Sequence, residues 1–344
     1  MRKLLGIMLL TIFFILAACN NSPESNESEA SNDGNNDDNK PKEDQTEKSY
    51  ESVFPLTGEP TNKQVDQRVL SVQVNNHTQA RPQSGLSQAD VVYEVLAEGQ
   101  ITRFLALFHS EIPDTIGPVR SARPYFFEIA DGFDALYTYH GAAQFINDQV
   151  KSSGIDFADG AIYDNDGVLF ERTTDRVAPH NSYLLTSGID QLIERKGYET
   201  EKAIDTLPFS EESDLEGEST DHVTVTYSEN EKVTYDYDSE SEQYLRSSDG
   251  EPTIDRENDE RIALKNVLII KTKHAVVDDA GRREINLTSG GEGYLLQKGQ
   301  LIDVQWKNKD GRILPYKNDK AVNFVPGQTW MNIIPNNQGN VSTE

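Results

Sequence analysis

The chain has 344 residues and a formal net charge of −26, with 58 acids against 32 lysines and arginines. Acidity on this scale argues against a broad nucleic-acid or anionic-lipid surface, because either needs basic side chains to neutralise phosphate. Cys19 is the only cysteine, so no intrachain disulfide framework can hold the fold together.

Residues 1–18 carry Arg2 and Lys3, then an apolar run from Leu4 to Leu16, and end in Leu16-Ala17-Ala18 before Cys19. That is the pattern of a lipoprotein signal peptide. The run is too short to span a bilayer comfortably, so it reads as a segment removed on export. Lipidation explains the lone cysteine: two acyl chains on Cys19 give stable anchoring where one would be marginal. From residue 19 to 52 the sequence is Asn, Ser, Glu and Asp with almost nothing apolar, and it is expected to be a disordered acidic tether. A flexible coil of that length spans roughly 30 Å, more if like charges stretch it.

The folded part is expected to divide at an acidic linker, 201–219, into a domain over 53–200 and another over 220–336, with a tail at 337–344. In the first, Val69–Val74 reads as a strand, and Val91–Glu98 and Ile101–Phe108 flank Gly99-Gln100 as a hairpin with a two-residue turn. Ser121 can cap a helix with Pro124 in its first turn, ended by Gly132. Ala135–His140 then reads as a strand, and Ala142–Ser152 and Ile189–Lys196 as helices. This predicts an α/β or α+β domain, a mixed sheet with helices. The second domain shows short β-type runs at Val223–Tyr227, Lys232–Asp238, Val267–Lys273, Gly293–Gln297, Leu301–Lys307 and Thr329–Ile334, separated by turn-rich sequence. It is expected to be smaller and all-β.

The two-residue turn pairs Leu96 with Arg103 and sets Glu94, Glu98 and Arg103 on one face of the hairpin. The cluster is either an ion-pair network that holds the sheet to its neighbour or part of a site. Between Gln64 and Ala178 there are seven arginines and one lysine, whereas the rest of the chain has eight arginines and sixteen lysines. Arginine's planar fork suits carboxylate and phosphate. Arg81, Arg103, Arg120, Arg123 and Arg172, with Asn181, are therefore the candidate ligand-binding side chains. Arg120 and Arg123 lead into a helix N-terminus, which itself attracts anions. His140, at a strand end before Gly141, and His180, in Ala178-Pro179-His180-Asn181, join Glu94 and Glu98 as candidate acids or bases. No metal-ligand spacing, phosphate loop, dinucleotide fingerprint or Gly-x-Ser-x-Gly elbow is present in the sequence, and no cofactor is expected.

Several strings are distinctive in order and content: Asn75-Asn76, Ala80-Arg81-Pro82-Gln83-Ser84-Gly85-Leu86, Ala89-Asp90-Val91-Val92-Tyr93-Glu94, Gly117-Pro118-Val119-Arg120-Ser121-Ala122-Arg123-Pro124, Ala178-Pro179-His180-Asn181 and Pro326-Gly327-Gln328-Thr329-Trp330. With these the chain resembles the YerB lipoprotein family of Gram-positive bacteria, across both folded parts. The resemblance implies an extracytoplasmic lipoprotein of two domains and assigns no activity. Two readings stay open. One is an accessory module, anchored by lipid on Cys19 to the outer face of the cytoplasmic membrane, that recognises an anionic cell-wall polymer or an envelope protein and no nucleic acid. The other is an enzyme acting on wall glycan or peptide through Glu94 or Glu98 and His140.

Overall fold

The most apolar runs of the sequence become the central strands of one long sheet. The computed structural model describes residues 50–212 and 215–343. The signal segment 1–18, Cys19 and the tether up to residue 49 lie outside the described residues.

In chain order, β1 (Leu70–Asn75), β2 (Val91–Leu96) and β3 (Thr102–Phe108) are buried along their whole length. Helix α1 (Pro124–Asp131), β4 (Leu136–Tyr139), helix α2 (Gln144–Ser153) and β5 (Phe157–Asp159) follow, then β6 (Phe170–Arg172), β7 (Ser182–Leu185) and helix α3 (Ile189–Lys196). The C-terminal segment supplies β8 (His222–Ser228), β9 (Glu231–Asp238), β10 (Gln243–Ser248), β11 (Asn266–Thr272), β12 (Gly291–Gln297), β13 (Gln300–Lys309), β14 (Arg312–Lys317), β15 (Thr329–Pro335) and β16 (Asn340–Thr343). The chain is thus mostly strand with few helices. The N-terminal segment contains a mixed sheet, and the C-terminal segment is sheet-rich.

Both segments contribute to the same twelve-stranded sheet, which runs β14-β13-β12-β11-β15-β2-β3-β1-β4-β5 with short strands at its edge. At its middle β15 lies parallel to β11 on one side and to β2 on the other, so Trp330 sits beside both Val267 and Val92. Strands covered on both faces read as continuous apolar runs rather than as alternation, which is why these three stand out in the sequence. One face is covered by α1 and α2 through Tyr125, Phe126, Ile129, Ile146 and Val150. The other is covered by the β8-β9-β10 sheet through Val225, Tyr227, Val233 and Tyr235, and by Leu192 of α3.

Three local expectations are corrected. The N-cap of α1 is Arg123 at φ −139°, ψ 149°, not Ser121. Pro124 forces its predecessor out of the helical region, so the helix starts at the proline itself. The acidic stretch 201–219 lies against the body: Leu207 is buried, Phe209 bridges to Phe324, and Glu218–Ser219 pairs with Gln300–Leu301. Its few apolar residues outweigh its charge. Within the expected tail, residues 340–343 form β16 and extend the smaller sheet beside β8.

Candidate functional site

Strands β1, β4 and β5 run parallel, so their carboxyl ends open on the same side of the sheet. Such ends are where open α/β sheets place their ligand sites. Here they carry Asn75-Asn76, His140-Gly141 and Asp159-Gly160. The Gly117–Pro124 segment is stitched across them: Asn75 N donates to Pro118 O (2.8 Å), Arg120 N to Gln73 O (2.8 Å), His140 N to Arg120 O (2.9 Å) and Ala122 N to Gly141 O (3.1 Å). Arg120 is therefore fixed between the ends of β1 and β4. A Cβ on Gly160 would stand 2.6 Å from His140 Nδ1, so glycine there leaves room for the imidazole.

The β2–β3 hairpin departs from the expected register by one residue. Leu96 opposes Thr102, Val95 opposes Arg103, and Glu94 opposes Phe104. The turn is longer than two residues, with Ala97 N bonded to Ile101 O and both Gly99 and Gln100 left-handed. A shift of one residue moves a whole strand's side chains to the opposite face. Arg103 and Glu94 consequently lie on opposite sides of the sheet, and the expected Glu94–Arg103–Glu98 cluster is two clusters.

On the α1 face, Glu98 is shared by two arginines. Arg103 Nη2 reaches Glu98 Oε2 at 2.7 Å, and Arg123 pairs with Glu98 Oε1 through both Nε and Nη2. Arg103 also donates to Ser121 O (3.1 Å), and Arg123 to Ala122 O. Burial opposes the Glu98 charge, but the two guanidinium groups win and hold its carboxyl below the ordinary range. Arg103 is pushed down to about 10 by burial and by Arg123. Arg120, half-buried beside them, has no side-chain partner among the described residues. Burial and Arg123 lower its pKa, with partial relief from Glu98. Three arginines around one carboxylate leave uncompensated positive charge.

The histidines flank this charge. His180 Nδ1 accepts from Asn75 Nδ2 at 2.9 Å, which places the ring proton on Nε2, an atom with no partner among the described residues. Its ring lies 4.6 Å from that of His77. Burial, His77, Arg120 and Arg176 all depress its pKa. His140 Nε2 faces Arg172 Nη2 at 3.1 Å; a guanidinium only donates, so Nε2 accepts and Nδ1–H donates to Ser182 Oγ at 2.8 Å. Both ring nitrogens of His140 are thus engaged, and burial and Arg172 lower its pKa. Arg172 is itself occupied by Asp164 (2.6 Å) and by Asn181 Oδ1 (2.9 Å), and Asn181 Nδ2 donates to Thr173 O (2.9 Å).

On the opposite face Glu94 is completely buried. It accepts from Thr102 Oγ1, Arg246 Nη2 and Trp330 Nε1, each at 2.8 Å. The Arg246 guanidinium lies over the Trp330 ring at 4.5 Å. Arg81 falls on this side as well, bridging Asp249 (2.8 Å) and Glu231 (3.2 Å). Burial and the neighbouring Glu94 push Glu231 up to about 7. Arg120, Arg123, Arg103, His140, His180, Arg172 and Asn181 are therefore gathered at the strand ends, while Arg81 and Glu94 belong to a second cluster. The sequence did not point to Arg246, Glu231, Thr102 or Arg176. Only Asn75, in the distinctive Asn75-Asn76 string, carried a signal.

Residues 56–199 match the family described as "Protein of unknown function (DUF3048) N-terminal domain", and residues 223–331 match "Protein of unknown function (DUF3048) C-terminal domain". A protein of Bacillus subtilis (strain 168) named "Putative lipoprotein YerB" is 45% identical over 285 residues, covering 82% of this chain and 86% of that protein. The chain belongs to the YerB family. A crystal structure of YerB from Bacillus subtilis superposes with a TM-score of 0.79 at 44% identity, covering 85% of this chain and 100% of the solved one. Most of the strings that carry the resemblance meet at or near the strand ends. Arg176 Nη1 bonds Ala80 O and Nη2 bonds Pro82 O, both at 2.8 Å, so the loop leading to Ala178-Pro179-His180-Asn181 is tied to the Ala80–Leu86 loop.

Proposed function

We propose that this YerB-family chain is a lipoprotein of the cell envelope, anchored through Cys19 at the outer face of the cytoplasmic membrane. In this reading it is a binding module that takes an anionic group at the carboxyl ends of β1 and β4. The anchor rests on the signal-like sequence before Cys19 and on the name of the Bacillus subtilis relative. The group is a phosphate ester of a wall polymer or a carboxylate of an envelope peptide.

The observation that carries the proposal is Arg120: half-buried, placed by two backbone hydrogen bonds, without a side-chain partner among the described residues, and next to two arginines that share one carboxylate. An anion there would accept from its planar fork and from the free His180 Nε2–H. Arg123 and Arg172 supply field rather than contacts, because each of their guanidinium nitrogens already donates, and Arg103 adds to that field from its place on Glu98 and Ser121. Glu94 is sealed in the core, Glu98 is held as a paired carboxylate, and His140 uses both nitrogens, so none is given an acid or base role.

The protein from residue 49 onward should sediment with purified cell walls in a salt-sensitive manner. Arg120→Gln should weaken this about tenfold or more, the worth of one charge-assisted contact. Stripping phosphate polymers from the walls separates the two anion sources. Retention unchanged by Arg120→Gln, with or without those polymers, would overturn the assignment.

A further inference from the structure

Strands β1, β2, β4, β5, β11 and β15 all run in one direction. β1 is parallel to β4 and β4 to β5, β3 is antiparallel to both β1 and β2, and β15 lies parallel to β2 and to β11. Their carboxyl ends therefore open along one edge of the sheet, and the anion site takes up only the β1–β4 part of it.

At the end of β2 stands Arg283. It comes from the C-terminal segment on a hairpin, His274–Val276 paired with Arg283–Ile285, that leaves the end of β11. Arg283 Nε donates to Ala97 O at 3.1 Å, which pins the side chain at the strand end. Its two terminal nitrogens have no partner among the described residues and are open to solvent. Further along, Lys273 and Asn336 follow the ends of β11 and β15, and with Lys271, Asn286 and Ser289 they line a pocket of about 430 Å³. Polar residues and glycines alone form that lining, with Glu292 its one acid. Neither lysine has an ion-pair partner among the described residues; Lys271 lies over the Tyr294 ring at 5.3 Å, and Lys273 is exposed.

Adjacent strands are about 4.8 Å apart, so Arg120, Arg283 and Lys273 follow one another at steps of roughly 10 Å along the edge. The acids near this row leave it positive. Glu98 is shared by Arg103 and Arg123, Asp278 is held by Arg282 at 2.6 Å, and Glu284 lies toward Glu128 of α1, which leaves Asp279 at the exposed turn. A single anionic group would use one seat and leave the others empty. A chain with a negative charge on each repeat fills several at once, and each seat after the first gains from effective concentration. The wholly polar pocket favours a hydroxyl-rich backbone over an acidic peptide, whose methylene groups would find nothing apolar there.

We infer that the carboxyl edge of the sheet is a track for a linear chain of polyol phosphodiesters, seated in turn on Arg120, Arg283 and Lys273. This rests on the anion site at Arg120 and names what that site takes: a polymer rather than a lone carboxylate.

The protein from residue 49 onward is titrated at low salt, by calorimetry and by the Arg120 Nε–H resonance, with three probes. They are inorganic phosphate, a synthetic glycerol phosphate oligomer long enough to cover all three seats, and polyglutamate of similar charge. The oligomer should bind about a hundredfold tighter than phosphate. Arg283→Gln and Lys273→Gln should each weaken the oligomer about threefold to tenfold and leave the phosphate response at Arg120 unchanged. Lys273 is exposed, so its replacement reads the track without touching the packing. Phosphate binding at Arg120 with no gain for the oligomer, or an oligomer indifferent to both substitutions, would overturn the track and leave the anion site standing. No phosphate response at Arg120 would overturn both. Polyglutamate binding as tightly as the oligomer would overturn the choice of a phosphate chain in favour of an acidic peptide.

Discussion

Replacing Arg246 with methionine should destabilise the protein far more than an average substitution. Arg246 and Glu94 are both completely buried, with Nη2 2.8 Å from Oε2. The guanidinium also donates to Thr253 Oγ1 and covers the Trp330 and Phe104 rings at 4.5 and 5.3 Å. Methionine restores much of the packing but leaves the Glu94 carboxylate in the core with only Thr102 and Trp330 as donors. Removing one partner of such a pair costs about 3–5 kcal/mol, because the remaining charge is uncompensated. In a body of this size that corresponds to a melting temperature lower by on the order of 10 °C. Scanning calorimetry of Arg246→Met, Glu94→Gln and the double variant checks this. The double variant should recover most of the loss, since the glutamine of Glu94→Gln keeps an acceptor for Trp330 Nε1 and no unpaired charge remains. A single variant within about 1 kcal/mol of wild type, or a double variant no better than Arg246→Met, would refute the buried-pair argument.

Gly132→Ala should be costly although its backbone is ordinary. A Cβ there would stand 2.6 Å from the Gly311 carbonyl carbon, where the β13–β14 turn docks on the end of α1, and equilibrium unfolding in urea should show a loss of about 1–3 kcal/mol; an unchanged midpoint would mean that the two turns do not meet. Glu231, pushed up to about 7 from 4.5, holds a proton in the folded state that the unfolded state has released. Its contribution to stability therefore falls as pH rises from about 4.5 to about 7, by about 3 kcal/mol in all. Glu231→Gln stays neutral, so its urea midpoint should gain on that of the wild type between about pH 5 and pH 8, and parallel curves would contradict the shift. Cys19→Ala should move the protein from the membrane fraction to the soluble fraction of cells, and equal membrane retention would refute lipid anchoring at that residue.

The sequence was most legible where one physical cause dominates. Thr329–Ile334 and Val267–Lys273 were readable as strands because burial on both faces makes most of their residues apolar, Trp330, Met331, Ile333 and Ile334 in one and Val267–Ile270 in the other. Ile189–Lys196 was readable as a helix, with Gly197 left-handed at its end. Their pairing was not legible. Nothing local says that β15 inserts between β11 and β2, since the contact with β2 joins residues more than two hundred positions apart in the chain. The hairpin register failed on one residue: Gly99-Gln100 suits a two-residue turn, but the turn takes in more of the chain, and Arg103 changed faces. The arginine bias and the string Gly117–Pro124 did lead to the strand-end cluster. Arg246 was invisible because Gln243-Tyr244-Leu245-Arg246-Ser247-Ser248 reads as a polar surface strand. Its burial comes with Glu94, supplied by the other segment.

The anion site has a direct observable in the Arg120 side chain. Its Nε–H resonance in a nitrogen-15 labelled protein can be followed while inorganic phosphate is added at low salt. A saturable shift of that signal and of the His180 ring signals is expected, weakened by added salt and lost in Arg120→Gln. Arg103, whose two terminal nitrogens are held by Glu98 and Ser121, should move less than Arg120. A phosphate response that is linear without saturation, or one that persists in Arg120→Gln, would contradict the claim that these strand ends form an anion site.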